Sequence, residues 1–162
     1  MQAIFDFFSF LGQEISLFVI SMIPLIELRG SIPLGAAMGM PWLTVFLVSI
    51  VGNMLPVPFI ILFGRQLIKW LKKVPLISKL AHKVENRLLS KSKNVTKYEI
   101  LGLCIFVAIP LPGTGAWSGA AIAALLNMRI SKALPPILFG VFIAGVLVTL
   151  AAYGVVGFIG LL

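Results

Sequence analysis

Three stretches of this chain, residues 30–64, 100–128 and 133–162, contain no charged side chain at all. A bilayer-spanning helix needs about 20 consecutive, mainly apolar residues, and each stretch is long enough to supply them. Soluble domains instead place charges at about a quarter of their positions. Here 60% of the 162 residues are hydrophobic, and only 13 basic and 5 acidic residues are present. Cys104 is the single cysteine, which excludes a disulfide scaffold. The net charge of +8 suggests a nucleic-acid partner, but too little polar surface remains to dissolve such a protein. These properties describe an integral membrane protein and imply no nucleic-acid partner.

The charge is concentrated. Ten of the thirteen basic residues lie in 65–97, against Glu85 alone, and the rest of the chain sums to −1. Positive loops stay cytoplasmic, so 65–97 is expected inside, together with Arg129 and Lys132. Both termini are then expected outside, in the plasma or inner membrane of a bacterium or archaeon. No positive n-region precedes Arg29, so residues 1–28 do not read as a cleaved signal peptide.

Residues 98–128 return to the side they left, yet 31 residues are too few for two spans. The spacing predicts a re-entrant hairpin with arms 98–109 and 116–127 and a tip at Pro110-Leu-Pro112-Gly113-Thr114-Gly115. Segment 133–160 then crosses fully. The first half repeats this order. Residues 2–11 form a short Phe-rich interfacial segment, an arm over 14–26 leads to a tip at Glu27–Pro33, and 42–63 spans. In the second half Leu76, Leu80, Val84 and Leu88 recur every four residues beside Lys79, Lys83 and Arg87, the pattern of a helix lying on an anionic membrane surface. The predicted fold is all-α integral membrane with an inverted repeat. Each half is an interfacial amphipathic helix, a re-entrant helical hairpin and one full transmembrane helix. One membrane domain, 1–162, contains half-repeats 1–64 and 76–162 joined through the basic segment 65–97. Secondary transporters are commonly built this way, with the site at the midplane.

Glu27 and Arg29 are the residues expected to carry chemistry, because intramembrane charges cost several kcal/mol and are functional by default. Glu27 is the expected proton carrier and Arg29 the expected anion-binding group, although the two would also serve as a self-neutralising structural pair. Gly30 and Ser31 beside them, and Gly113, Thr114, Gly115, Trp117 and Ser118 at the second tip, form a candidate anion cradle of hydroxyls and helix N-termini. Pro33, Pro110 and Pro112 turn the hairpins, and turning the chain alone explains much of that composition. Asn53 and Thr149 are polar groups within the spans that would line a cavity or bond across helices. Glycines at 35, 39, 115, 119, 154, 157 and 160 allow close helix packing. Glu14 is read in a first helical turn, and Glu99 closes a capping box with Thr96. The residues supply no metal cluster and no nucleophile paired with a base. No enzyme and no cofactor are expected.

At Glu27-Leu-Arg-Gly-Ser-Ile-Pro-Leu-Gly35 and Pro110-Leu-Pro-Gly-Thr-Gly-Ala-Trp-Ser-Gly119 the chain resembles the small multidrug export protein family. That family is distantly similar to the DedA-type (SNARE-associated, VTT) membrane proteins. The DedA resemblance implies opposed re-entrant hairpins, dependence on the proton-motive force and return of undecaprenyl phosphate across the membrane. It maps the acidic and basic tip residues onto Glu27 and Arg29. The second tip departs from the DedA pattern, carrying Ala116, Trp117 and Ser118 where that family has arginines. Three functions remain open at this level. The first is a proton-coupled translocator of an anionic amphiphile such as a phosphorylated polyprenyl lipid, with membrane lipids, lipid-linked phosphate and protons as partners. The second is a proton-coupled exporter of lipophilic cations, which Arg29 would repel. The third is a non-transporting protein that interacts with lipid. With two full spans per chain, a homodimer is expected.

Overall fold

The computed structural model describes residues 2–73, 82–83, 86–87, 99–111 and 113–159. Besides the helical residues 82–83 and 86–87, the described residues form the helices α1 (Gln2–Ser21), α2 (Glu27–Ala37), α3 (Trp42–Met54), α4 (Val57–Lys73), α5 (Glu99–Ala108), α6 (Ala116–Leu125) and α7 (Ile130–Ile159). No strand occurs among the described residues. Two segments, Trp42–Gly64 and Ile130–Gly157, are long and apolar enough to cross a bilayer, in agreement with the expected spans. A buried core helix of a soluble protein passes the same length test, but here only 39% and 44% of an 18-residue apolar stretch within each segment is buried. Phe59, Phe63, Phe139 and Leu150 are each more than 60% exposed, as lipid-facing side chains are and as water-facing ones rarely are.

The chain forms two compact units, residues 1–55 with 142–162, and residues 56–141. In the first unit α1, α2 and α3 pack pairwise. Its layout corrects four expectations. Residues 2–11 are not a separate interfacial helix, because α1 runs unbroken from Gln2 to Ser21. Glu14 therefore sits in mid-helix rather than in a first turn. The hairpin turn is at residues 22–26, not at Glu27–Pro33. Pro24 has no N–H to continue α1, whose end tightens through Met22 N–H to Val19 O (3.2 Å) and Ile23 N–H to Ile20 O (3.1 Å). Pro33, expected at the tip, lies inside α2 instead. Its ring is on the exposed side, and a short helix whose other face packs tolerates the missing donor. Gly39 (φ +72°) ends α2, with Met40 N–H bonded to Gly35 O at 3.1 Å, a left-handed helix cap.

In the second unit α6 packs against both α4 and α5. Within the predicted 98–127 segment the chain forms α5, an irregular segment at the expected tip, and α6. Gly113 (φ +81°) and Gly115 (φ +132°) adopt backbone conformations that glycine tolerates best. The Thr114 hydroxyl has the carbonyl oxygens of Ile109 (2.7 Å) and Leu111 (2.8 Å) as acceptors, closing the segment on itself. Asn127 (φ 58°) caps α6 as Gly39 caps α2, with Met128 N–H on Ala123 O at 2.9 Å. Thr96, Lys79, Pro112 and most of the expected amphipathic helix over 76–88 lie outside the described residues; His82, Lys83 and Arg87 are helical and exposed.

The same packing is built twice. In the first unit a Cβ on Gly52 would collide with Ser21 and sit 2.6 Å from the Phe18 carbonyl oxygen. In the second, a Cβ on Gly140 would sit 2.7 Å from the Cys104 carbonyl oxygen and 2.7 Å from Val107 Cβ. Phe18 and Ser21 precede Cys104 and Val107 by one constant shift of 86 positions, and Gly52 precedes Gly140 by 88. The two-residue difference falls in the turns, both of which open on Ile-Pro-Leu, at 23–25 and 109–111. On this alignment the fully buried Leu17, Ile32 and Val45 meet the fully buried Leu103, Ala120 and Ala133. Gly35 and Gly119 do allow close approach, to Val45 and to Val107. Gly154 and Gly157, expected to do the same, have no atom within 4 Å of an added Cβ.

Candidate functional site

α2 begins at Glu27, and that residue has φ of 50°. A side chain in the left-handed region costs about 1–2 kcal/mol, and sites that retain such strain are often functional. The aligned position in the second unit is Gly115, where positive φ is cheap. Glu27 is also 5% exposed. Two residues on, half-buried Arg29 interacts electrostatically with it. Both charges expected to carry chemistry are therefore in one turn of helix.

Antiparallel register extends this site to α3. Gly35 of α2 packs on Val45, and one turn earlier the Ser31 hydroxyl donates to Ser49 Oγ at 2.7 Å. Each step back along α2 is a step forward along α3, so this register, continued one more turn, runs toward Glu27 on α2 and Asn53 on α3. α1 reaches the same layer, since Ser21 lies against Gly52. Ser21, Ser31, Ser49 and Asn53 are all 0% exposed. The Ser21 hydroxyl is used locally, donating to Phe18 O at 2.7 Å. Neither amide atom of Asn53 has a hydrogen-bond partner among the described residues.

Aligned with the second unit, this polar set has no counterpart. Val107, Gly115, Trp117, Gly119, Ile137 and Val141 stand where the first unit has Ser21, Glu27, Arg29, Ser31, Ser49 and Asn53. The fold accepts apolar residues and glycine at these six positions, so their polarity in the first unit is not required for packing. Sequence reading singles out Glu27, Arg29, Ser31 and Asn53, but misses Ser21 and Ser49. Only their spacing from Ser31 and Asn53 through the helix register marks them.

The residues expected to form a cradle at the second tip are placed less tellingly. Gly113 is exposed, Trp117 and Ser118 are half-buried, and Thr114 is engaged with its own loop. Gly30, next to Arg29, is constrained by packing, since a Cβ there would strike the Ile26 side chain. Elsewhere in the first unit, a groove of about 670 Å³ is lined by Trp42, Phe46, Phe142, Val146, Thr149 and Tyr153, among others. Phe46 and Phe142 meet edge to face at 5.5 Å and 82°. The Tyr153 hydroxyl donates to Met40 O at 2.8 Å. Thr149 Oγ1 is buried and has no partner among the described residues. No group of three or more His, Cys, Asp or Glu side chains suited to a metal ion occurs among the described residues.

No curated protein and no solved structure matches the chain. Residues 27–147, from the strained glutamate through most of the second span, match the family described as "Putative small multi-drug export protein". Two apolar spans and a match over most of the length agree, and the chain belongs to that family.

Proposed function

We propose that the protein is a secondary transporter in which Glu27 carries the coupling proton and Arg29 binds the anionic head group of an amphiphile. The observation that carries this reading is the burial of Glu27 in a backbone conformation for which the second unit uses glycine. Charge balance favours an anion. With Glu27 ionised, Glu27 and Arg29 sum to zero; once Glu27 is protonated, Arg29 is left as an uncompensated cation in a low-dielectric site. The cost of that state is relieved by a bound anion, so proton and anion load together. The groove supports the amphiphilic character of the substrate. It lines the start of α3 and Asn53 lies near its end, roughly 10 Å away at a rise of 1.5 Å per residue. A head group at Arg29 thus leaves a hydrocarbon tail within reach of Phe46 and Phe142. A phosphorylated polyprenyl lipid has this form.

Export of lipophilic cations by proton exchange at Glu27 is the second reading, favoured by the family description. Proteoliposomes under an imposed pH gradient separate the two. Farnesyl phosphate should drive proton flux that Arg29→Ala abolishes, whereas tetraphenylphosphonium should not. Flux with the cation that survives Arg29→Ala would establish the second reading instead. The turn-linked pairs α1–α2 and α5–α6 are read as hairpins inserted from opposite faces, making the repeated packing an inverted repeat. α6, at 10 residues, reaches about 15 Å, half the depth of the hydrocarbon core. Cysteines introduced at Asn94 and Ile130 should both label from one side of the membrane; labelling from opposite sides would remove the second hairpin.

A further inference from the structure

We propose that Asn53 is a positioning residue of the proton site, its buried amide holding the water that solvates the Glu27 carboxylate at the junction of α1, α2 and α3. The inference rests on the reading of Glu27 as proton carrier. Three observations carry it. The register set by Gly35 on Val45 and Ser31 on Ser49, continued one more turn, runs toward Glu27 and Asn53. Asn53 is fully buried, and both its amide oxygen and its amide nitrogen lack a hydrogen-bond partner among the described residues. Buried amides are normally satisfied, and a bound water is the usual partner where protein supplies none. The second unit, finally, packs the corresponding position with Val141, which is 1% exposed. Valine therefore fits this fold, and packing does not require the asparagine.

Water held by Asn53 would solvate the charged form of Glu27 and keep its proton exchangeable. Arg29 is the charged neighbour on the same helix. α3 contributes no titratable side chain, and α1 contributes only Asp6 and Glu14, about two turns or more before its end at Ser21. The part of α7 in this unit adds Tyr153, whose hydroxyl is committed to Met40 O. Replacing Asn53 with valine removes the hydrogen-bonding group and its water, penalises the carboxylate and raises the pH at which Glu27 loses its proton.

Infrared titration in liposomes reads this without a substrate. The protonated-carboxyl band that disappears in Glu27→Gln reports Glu27. Its midpoint should move up by about one pH unit in Asn53→Val, while the melting temperature in detergent stays close to wild type because valine packs at the corresponding position of the second unit. Asn53→Thr has the shape of valine with a hydroxyl restored, and should return most of the midpoint. Identical midpoints for wild type, Asn53→Val and Asn53→Thr would overturn the role of Asn53 and leave Glu27 untouched. Absence of any titrating band sensitive to Glu27→Gln would instead overturn the proton-carrier reading itself.

Discussion

Glu27→Gly will be more stable than Glu27→Ala by on the order of 1 kcal/mol, and neither variant will couple transport to protons. Both remove the carboxylate and leave Arg29 without its charge partner, so that cost cancels in the comparison. What remains is the backbone. Alanine at φ near 50° keeps the steric penalty of a Cβ in the left-handed region, and glycine does not. The order is the reverse of ordinary helix preference, in which alanine is favoured over glycine by about 1 kcal/mol. Thermal melts of the two purified variants decide it, and a more stable alanine variant would show that Glu27 is not held in strain. Glu27→Gln completes the set. It preserves shape and hydrogen-bonding capacity but cannot titrate, so proton-driven flux should fall to background in a protein that still folds.

The second large effect concerns packing. Gly140→Ala will destabilise the protein by about 2–3 kcal/mol, although helix propensity alone would make alanine stabilising by about 1. The new methyl would lie 2.7 Å from the Cys104 carbonyl oxygen and 2.7 Å from Val107 Cβ. A backbone carbonyl cannot rotate aside as a side chain can, so α5 and α7 must separate. Gly52→Ala meets the Phe18 carbonyl oxygen at 2.6 Å and should behave alike. Gly157→Ala is the control: it is exposed, has open space around the added methyl, and should melt at or above wild type. If Gly140→Ala melts with the control, the close approach of α5 to α7 is wrong.

The two hairpin turns differ in how far local sequence reveals them. Around Pro110 two prolines and two glycines crowd within six residues, a composition no helix accommodates, and the chain breaks there. Around Glu27 there are two candidates: Pro24 alone, or the charged, glycine- and proline-bearing run to Pro33. Polarity favours the run as a tip, yet the chain turns at Pro24 and the polar residues fold into α2. In a bilayer a charge does not mark an exposed loop. It marks a place where the fold has enclosed a polar group, and a helix face does that as well as a turn. The shared Ile-Pro-Leu at 23–25 and 109–111 is the better signal, since both breaks open on it.

Hydropathy by itself determined the membrane class, the two spans and the helix break near Pro110, because apolar length and proline–glycine clusters act locally, before any tertiary contact forms. It also singled out Glu27 and Arg29, since a charge deep in an apolar run is conspicuous without a structure. Tertiary structure alone decided which residues join them. Ser49 is separated from Ser31 by the rest of α2 and a turn, and only the antiparallel register of α2 on α3 brings their hydroxyls together. Likewise, nothing in the local sequence separates Gly52 and Gly140, which abut carbonyl oxygens, from Gly157, which abuts nothing. The difference is which neighbour each helix face meets, and a contact between helices is a property of their register rather than of either sequence segment.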